Sequence, residues 1–316
     1  MDQPQALYDA DGQVIPTSAL RGISDSTDDA FHAETFHLPG RHDQSDHGRA
    51  DSGTGSDDNG DRFTAGKARI SAILSAYADG YEVIRSVESS GSGATMDVLR
   101  LSDGTEVMRK VAPSGGDGER TTRREYLGGR VLNAAGIHDV YTAKVDSHTL
   151  LTTLVTGPSG ARQLNQEVPD DLPFDEYNTK ITAATLRQVT APGGKAIGLA
   201  DWSMTNVDRH SFNWMMSPNG VRPIDQGEAR FLPVDDEEGF HDAINPSSPF
   251  SDHWLGIESD DDGQVTSMRP LVTADEFKRF RENVEGLSSE FSREKSNVSF
   301  ENMMLRLDYV EARLAQ

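Results

Sequence analysis

Residues 201–231 read DWSMTNVDRHSFNWMMSPNGVRPIDQGEARF, and the spacing of their oxygen-bearing side chains decides the fold. Asp208 is followed five residues later by Asn213, and Asp225 comes twelve residues after that. Between them, Trp214-Met215-Met216 reads as a strand, Ser217-Pro218-Asn219-Gly220 as a turn and Val221–Ile224 as a return strand. A two-stranded hairpin brings the chain back to where it began, so Asp225, followed by Gly227, can approach Asn213 in space. A carboxylate and an amide oxygen at such a meeting point suit a hard cation such as Mg²⁺. Asp208 then stands nearby as a third oxygen donor or as a base.

Working outward, the residues before this stretch are rich in strands. Lys67–Tyr77 places Ile70, Ile73, Leu74 and Tyr77 at helical spacing. Tyr81–Val87, Met96–Leu101 and Glu106–Val111 read as strands, the last two joined across the hairpin signal Asp103-Gly104. Ser89–Ala94 is a small-residue turn and Pro113–Gly118 a Gly-rich loop. Glu119–Asn133 reads as a helix with Gly136 as its C-cap. Tyr141–Val145 and Leu150–Val155 are two further strands. After Gly157-Pro158 the chain turns helical, with patterns over Phe174–Thr190, Lys195–Asp201, Ala274–Leu287 and Phe300–Leu314. Strands first and helices second predict an α+β fold of two lobes with a cleft between them. The boundaries expected are a tail over 1–64, a strand-rich lobe over 65–157 and a helical lobe over 158–316.

Composition sets outer limits. The chain has 316 residues, 30 Lys+Arg against 52 Asp+Glu, a formal charge of -22 and 35 % hydrophobic residues. Without cysteine there is no disulfide scaffold, thiol nucleophile or Cys-based zinc site. The charge argues against nucleic acid or an anionic membrane as partner, because phosphate contacts need clustered Lys and Arg. No apolar run approaches the length of a membrane span. MDQPQALYDADGQVIP has neither a basic nor an apolar leader region, so the expected location is cytoplasmic.

The tail is expected to be largely disordered. Between Pro39 and Arg62 its only apolar side chain is Ala50, too little to offset chain entropy. A short amphipathic piece at Ala30–Phe36 can order on a partner. His37, His42 and His47 recur every five residues and raise a metal-binding reading, but no scaffold there fixes their geometry. The stretch LPGRHDQSDHG resembles one seen in phage head and prophage-encoded proteins. That resemblance implies a phage or mobile-element origin, a virion-associated location as the alternative to the cytoplasm, and docking on a phage structural partner.

The pattern Asp208-Arg209-His210-x-x-Asn213, with Ile224-Asp225-x-Gly227 downstream, resembles the phosphatidylinositol 3-/4-kinase superfamily and its bacterial relatives, including the HipA-like kinases. The resemblance covers about Tyr81 to Gln316. It implies a protein-kinase-like fold that binds ATP with Mg²⁺ or Mn²⁺. Asn213 and Asp225 would hold the metal. Val107-Met108-Arg109-Lys110 is similar to the kinase strand that carries the phosphate-pairing lysine, here Lys110. Glu125 on the next helix is the candidate partner for Lys110, with Glu119 as the alternative. Met108 would line the adenine pocket, and the turn with Gly91 and Gly93 would cover the phosphates. Asp208 would orient or deprotonate the acceptor hydroxyl, and His210 is a further catalytic candidate.

Plainer readings stand beside these. Lys110 can be a solvated strand lysine, Glu125 a surface helix residue and Asn213 a turn residue. Asp201 and Arg209 read as supports of the loop, Trp202 and Trp214 as core. Asp235–Glu238 and Glu258–Asp262 read as solvated surface. The leading function is a phosphotransferase acting on a protein hydroxyl. The alternatives are a pseudokinase or virion-associated binding module without catalysis, a lipid or small-molecule kinase, and a metal-dependent hydrolase built on Asp208, Asp225 and His210.

Overall fold

The strand-rich half packs around one apolar helix face. In a computed structural model, helix α1 (Asp58–Ala78) buries Ile70, Ile73 and Ala76 against Leu99, Leu101, Val107, Ala143 and Leu151. The structure describes residues 58–87, 93–169, 171–234, 246, 248–259 and 265–315. Gly80, at φ 129°, ends the α1 turn and starts β1. Strands β1 (Tyr81–Val87), β2 (Thr95–Leu101), β3 (Glu106–Val111), β4 (Thr142–Lys144) and β5 (Thr149–Thr153) make one antiparallel sheet in the order β1-β2-β3-β5-β4. The β2–β3 hairpin turns as expected at Asp103-Gly104, where Gly104 has φ 84° and the Asp103 carboxylate accepts from Thr105 N–H at 2.8 Å. In register, Lys110 faces Met96 on one side and Leu150 on the other.

Helix α2 (Gly116–Ala135) joins sheet to helical half. It begins three residues before the predicted Glu119 and ends at Gly136, whose φ of 115° lets its N–H reach back to the last carbonyls. Gly128 and Gly129 allow the close fit. A Cβ on Gly128 would stand 2.8 Å from Gln226 Cβ, and one on Gly129 would stand 2.8 Å from Thr142 Oγ1. The helix therefore presses on the sheet and on the segment after Asp225 together.

The helical half contains α3 (Gly160–Glu167), α4 (Phe174–Val189), α5 (Gly194–Met204), a 3₁₀ turn (Ser211–Asn213), the hairpin β6 (Trp214–Ser217) and β7 (Gly220–Pro223), α6 (Pro249–Leu255), the pair β8 (Ile257–Ser259) and β9 (Val265–Met268), α7 (Ala274–Glu285), α8 (Ser288–Arg293) and α9 (Asn297–Leu314). Leu127 and Val131 of α2 share one core with Val284, Leu287, Phe291 and Leu307. Trp202 and Trp214 are buried in it. Arg62–Gln316 thus clusters as one compact unit.

The α+β architecture stands, with several differences from the sequence reading. Helix α1 starts at Asp58, nine residues before Lys67, and so enters the segment expected to be disordered. Helices α3, α6 and α8 and the β8–β9 pair were not anticipated. They are short, and their start signals, Ser159 and the Ser248-Pro249 step, look like ordinary loop residues in the sequence. Glu258 belongs to β8. Gly91, Asp235–Glu238, Ala30–Phe36 and the three tail histidines lie outside the described residues. Among the described residues no helix is long and apolar enough to cross a membrane.

Candidate active site

Three elements far apart in sequence meet at Lys110. The lysine projects from β3, Glu125 from the third turn of α2 and Asp225 from just beyond β7. Lys110 Nζ donates to Glu125 Oε2 at 2.8 Å and to Asp225 Oδ1 at 3.2 Å. The side chains are 17 %, 10 % and 48 % exposed in that order, so the pair is mostly dry and Asp225 faces solvent. Burial pushes the Glu125 carboxyl up, Lys110 pulls it down, and the net direction is up. Burial also works against a charged Lys110, but Glu125 and Asp225 outweigh it and hold the ammonium well above its ordinary value. For Asp225, desolvation is overcome by Lys110 and by the Gly227 N–H, and its carboxyl sits below the usual range.

Backbone geometry sets Asp225. Its φ is 55°, a left-handed conformation that Asp tolerates better than most residues but that still costs energy. Gly227 follows because nothing larger fits, since an added Cβ would lie 2.9 Å from Thr121 Cγ2. Behind Asp225, Glu125, Leu132, Thr142, Thr152 and Ile224 help line a cavity of about 20 Å³, room for about one water. Met108 pairs with Val98 and Thr152 and is partly buried. Gly93 has φ 65° and sits close to Pro113.

The hairpin returns the chain as its sequence suggested. Trp214 pairs with Pro223, and Ile224 N–H donates to Asn213 O at 3.0 Å, which sets Asp225 one residue beyond a direct bond to Asn213. The Asn213 amide nitrogen donates to Asp208 O at 2.7 Å and to Asp208 Oδ2 at 3.0 Å. That turns Asn213 Oδ1, the atom a hard cation would take, away from Asp208. An amide oxygen and a half-exposed carboxylate are the hard donors that Mg²⁺ prefers, so this pair fits the metal. His210 Nδ1 accepts from Phe212 N–H, and its Nε2 lies 3.5 Å from Asp208 Oδ1. His210 is exposed and Asp208 is partly buried. Among the described residues no three His, Asp or Glu side chains group as a metal site.

A buried polar network fixes this loop. Arg209 binds Asp201 through Nε and Nη2 at 3.0 Å each. Its Nη1 donates to the carbonyls of Asn213 at 2.7 Å and Ile224 at 2.9 Å. One guanidinium thus ties together the two strand ends that carry Asn213 and Asp225. Gln226 Oε1 also accepts from Arg209, Ser248 Oγ donates to Asp201 at 2.7 Å, and Asn206 Oδ1 accepts from Asp208 N–H at 3.2 Å. Arg209 and Asp201 take the supporting place expected of them. Asn206, Gln226 and Ser248 were missed. Asn206, two residues before Asp208, had a usable signal as a residue that turns the chain onto its own side chain.

The fold is α+β, a five-stranded antiparallel sheet followed by a mainly helical half.

No protein-family model and no curated protein matches the chain. Among solved structures it is similar to a proinflammatory kinase, CtkA, of Helicobacter pylori, at 14 % identity and a TM-score of 0.47, over 74 % of this chain and 96 % of that one. It is also similar to a MAP kinase of Leishmania major, at 15 % identity and a TM-score of 0.28, over 71 % of this chain and 66 % of that one.

Proposed function

We propose that the chain is an ATP- and Mg²⁺-dependent phosphotransferase that moves the γ-phosphate to a hydroxyl, with a protein as acceptor. The observation that carries this reading is the single ammonium of Lys110 shared by Glu125 and Asp225, with Asp225 set by the hairpin beside Asn213. Such an arrangement suits a reaction in which positioning and charge stabilisation do most of the work. Lys110, aimed by Glu125, pairs with phosphate oxygens of the nucleotide. Asp225 and Asn213 would hold the metal, which would offset the charge of the phosphates. Asp208 orients the acceptor hydroxyl and takes its proton as that oxygen bonds to the γ-phosphorus. The bond from the γ-phosphorus to the bridging oxygen breaks, and ADP leaves with that electron pair. His210, beside Asp208, keeps the carboxylate in place. Met108 borders the adenine, and Gly93 lies toward the phosphates.

The test is transfer of label from γ-labelled ATP with Mg²⁺ to host-cell proteins, with Asp225→Ala run in parallel. Wild type should label a discrete protein, and the variant should lose at least about 100-fold of the rate, the scale of losing a main electrostatic group. Full activity in Asp225→Ala would falsify the assignment. Label on lipid or on a small molecule would keep the chemistry and replace the acceptor. Mg·ATP-dependent thermal stabilisation without any transfer would mark a nucleotide-binding module instead.

A further inference from the structure

A groove of about 580 Å³ opens to solvent in the helical half and shares no lining residue with the cavity behind Asp225. Its described walls come from β9, from the two residues after it, and from the last turn of α9. Among the described residues none from β8 lines it. Strands β8 and β9 form a two-stranded sheet, so the groove runs along the β9 edge that β8 leaves unpaired. Such an edge presents backbone N–H and C=O groups on which another strand can pair. The end of β9 is fixed, because Arg269 N–H donates to Leu255 O at 3.0 Å.

The side chains say what kind of strand fits. Met268, Pro270 and Leu314 form the apolar part, with Met268 buried at its base. Leu271, next in the chain, is 57 % exposed. Two guanidiniums border this surface, Arg269 exposed and Arg313 partly buried. Arg313 lies 3.6 Å from the centre of the Tyr309 ring and donates from Nη1 to Tyr309 O at 3.1 Å, which holds it in place. Acids on the same elements are engaged elsewhere. Asp308 and Glu311 of α9 pair with Arg281 at 2.6 Å and 3.1 Å, and Glu258 of β8 accepts from Ser267 Oγ at 2.6 Å. In a chain of net charge -22, most of the surface attracts cations, whereas this groove meets a partner with two arginines. A small molecule in so open a groove would stay largely wet, unlike ligands in pockets that cover about 70–90 % of their surface. A chain segment laid along β9 gains main-chain bonds as well as side-chain contacts. The four residues of β9 span about 13 Å, which suits a segment of about four to six residues.

We propose that this groove docks an extended acidic segment of another protein, added as a strand along the free edge of β9. Its apolar side chains lie on Met268, Pro270 and Leu314, and its carboxylates reach Arg269 and Arg313. Side chains alternate along a strand, so the segment recognised has acidic and apolar residues in alternation. The site stands apart from the phosphotransferase reading and does not depend on it.

The probe is a panel of end-labelled hexapeptides in which aspartate or glutamate alternates with valine, leucine or phenylalanine. They are titrated by fluorescence anisotropy into the full chain at about 150 mM salt, where a screening length of about 8 Å confines the response to nearby charges. Acidic members of the panel should bind, and their lysine counterparts should not. Arg269→Glu should weaken the acidic peptides by about ten-fold or more, as loss of a charge-assisted pair implies, and should admit the lysine counterparts. An unchanged melting temperature of that variant separates the effect from misfolding. Methylating alternate amide nitrogens of the peptide removes its strand donors without changing its charge, and should abolish binding. Amide hydrogen exchange should slow in β9 on binding. No binding across the panel, or equal binding by wild type and Arg269→Glu, overturns the site. Binding that survives methylation overturns strand addition. A dimer that forms without peptide and is dissolved by Arg269→Glu would put a second copy of the chain in the groove and overturn the acidic partner.

Discussion

Lys110 stands between two carboxylates in unequal surroundings, and that inequality has a measurable consequence. Glu125 is nearly buried and tolerates its charge only because the ammonium is 2.8 Å away. Lys110→Met removes that partner and leaves a buried carboxylate that escapes its penalty by taking up a proton. The folded-state pKa of Glu125, already raised from 4.5, then rises further. For a carboxyl raised in this way the native state binds more protons than the unfolded one, so stability falls as pH climbs from the unfolded value through the folded one. The destabilisation by Lys110→Met should therefore be small near pH 5 and larger at pH 8, read from urea unfolding at both values. An identical loss at the two pH values would mean that Glu125 does not depend on Lys110 for its charge. Of the three residues that meet here, Asp225 follows from a local rule, because it closes a hairpin with a strong turn signal, whereas Lys110 was singled out by the resemblance of its strand to the kinase lysine strand. Glu125 was legible only as one of two choices. Where the helix starts and which way it faces are set by Gly128 and Gly129 packing on distant residues, and Glu119 was left to pair with Arg123 at its exposed start.

Helix α2 is the element on which the site depends, because it carries Glu125 and touches both the sheet and the Asp225 loop. Two devices hold it. One is the small-residue face: Gly128→Ala gains about 1 kcal/mol of helix propensity but forces a Cβ to 2.8 Å from Gln226 Cβ. Overpacking of about 1–3 kcal/mol outweighs that gain. The variant should melt at a lower temperature than wild type, and unchanged melting would show that Gln226 yields freely. The other device is the buried ion pair of Arg130 with Glu290, at 2.7 Å and 3.3 Å, joined by Tyr126 and Asn133. Glu290→Gln removes the carboxylate that Arg130 binds at 2.7 Å and should cost about 3–5 kcal/mol. Nothing local in the sequence announces this pair, since its partners are 160 residues apart and periodicity marks only which face of a helix is apolar. The same limit hid Ser248, which reaches Asp201 across 47 residues. Short elements were lost for another reason. Helices such as α6, with seven residues, complete too few turns for a periodic pattern to stand out.

At the scale of the whole molecule, the charge of -22 lies almost wholly outside the buried ion pairs, because Arg130, Arg209 and the mostly buried Lys110 are matched by the buried carboxylates Glu290, Asp201 and Glu125. The remaining carboxylates outnumber the remaining cations. Mutual repulsion among those carboxylates opposes the compact state. Going from 20 mM to 500 mM NaCl shortens the screening length from roughly 20 Å to roughly 4 Å. The melting temperature should therefore rise by a few degrees over that range. The surface ion pairs, such as Lys180 with Glu176 and Arg281 with Glu285, work against this trend, but pairs of that kind contribute only about 0–1 kcal/mol each. A melting temperature that falls with salt would show that those pairs, and not the repulsion, dominate. The buried pairs respond differently because little solvent or salt reaches them. The cost of Glu290→Gln should thus stay constant from 20 mM to 500 mM NaCl while the stability of both proteins shifts together. If that cost shrinks with salt, water reaches the Arg130 pair, and the helix that carries Glu125 is held less rigidly than its buried contacts indicate.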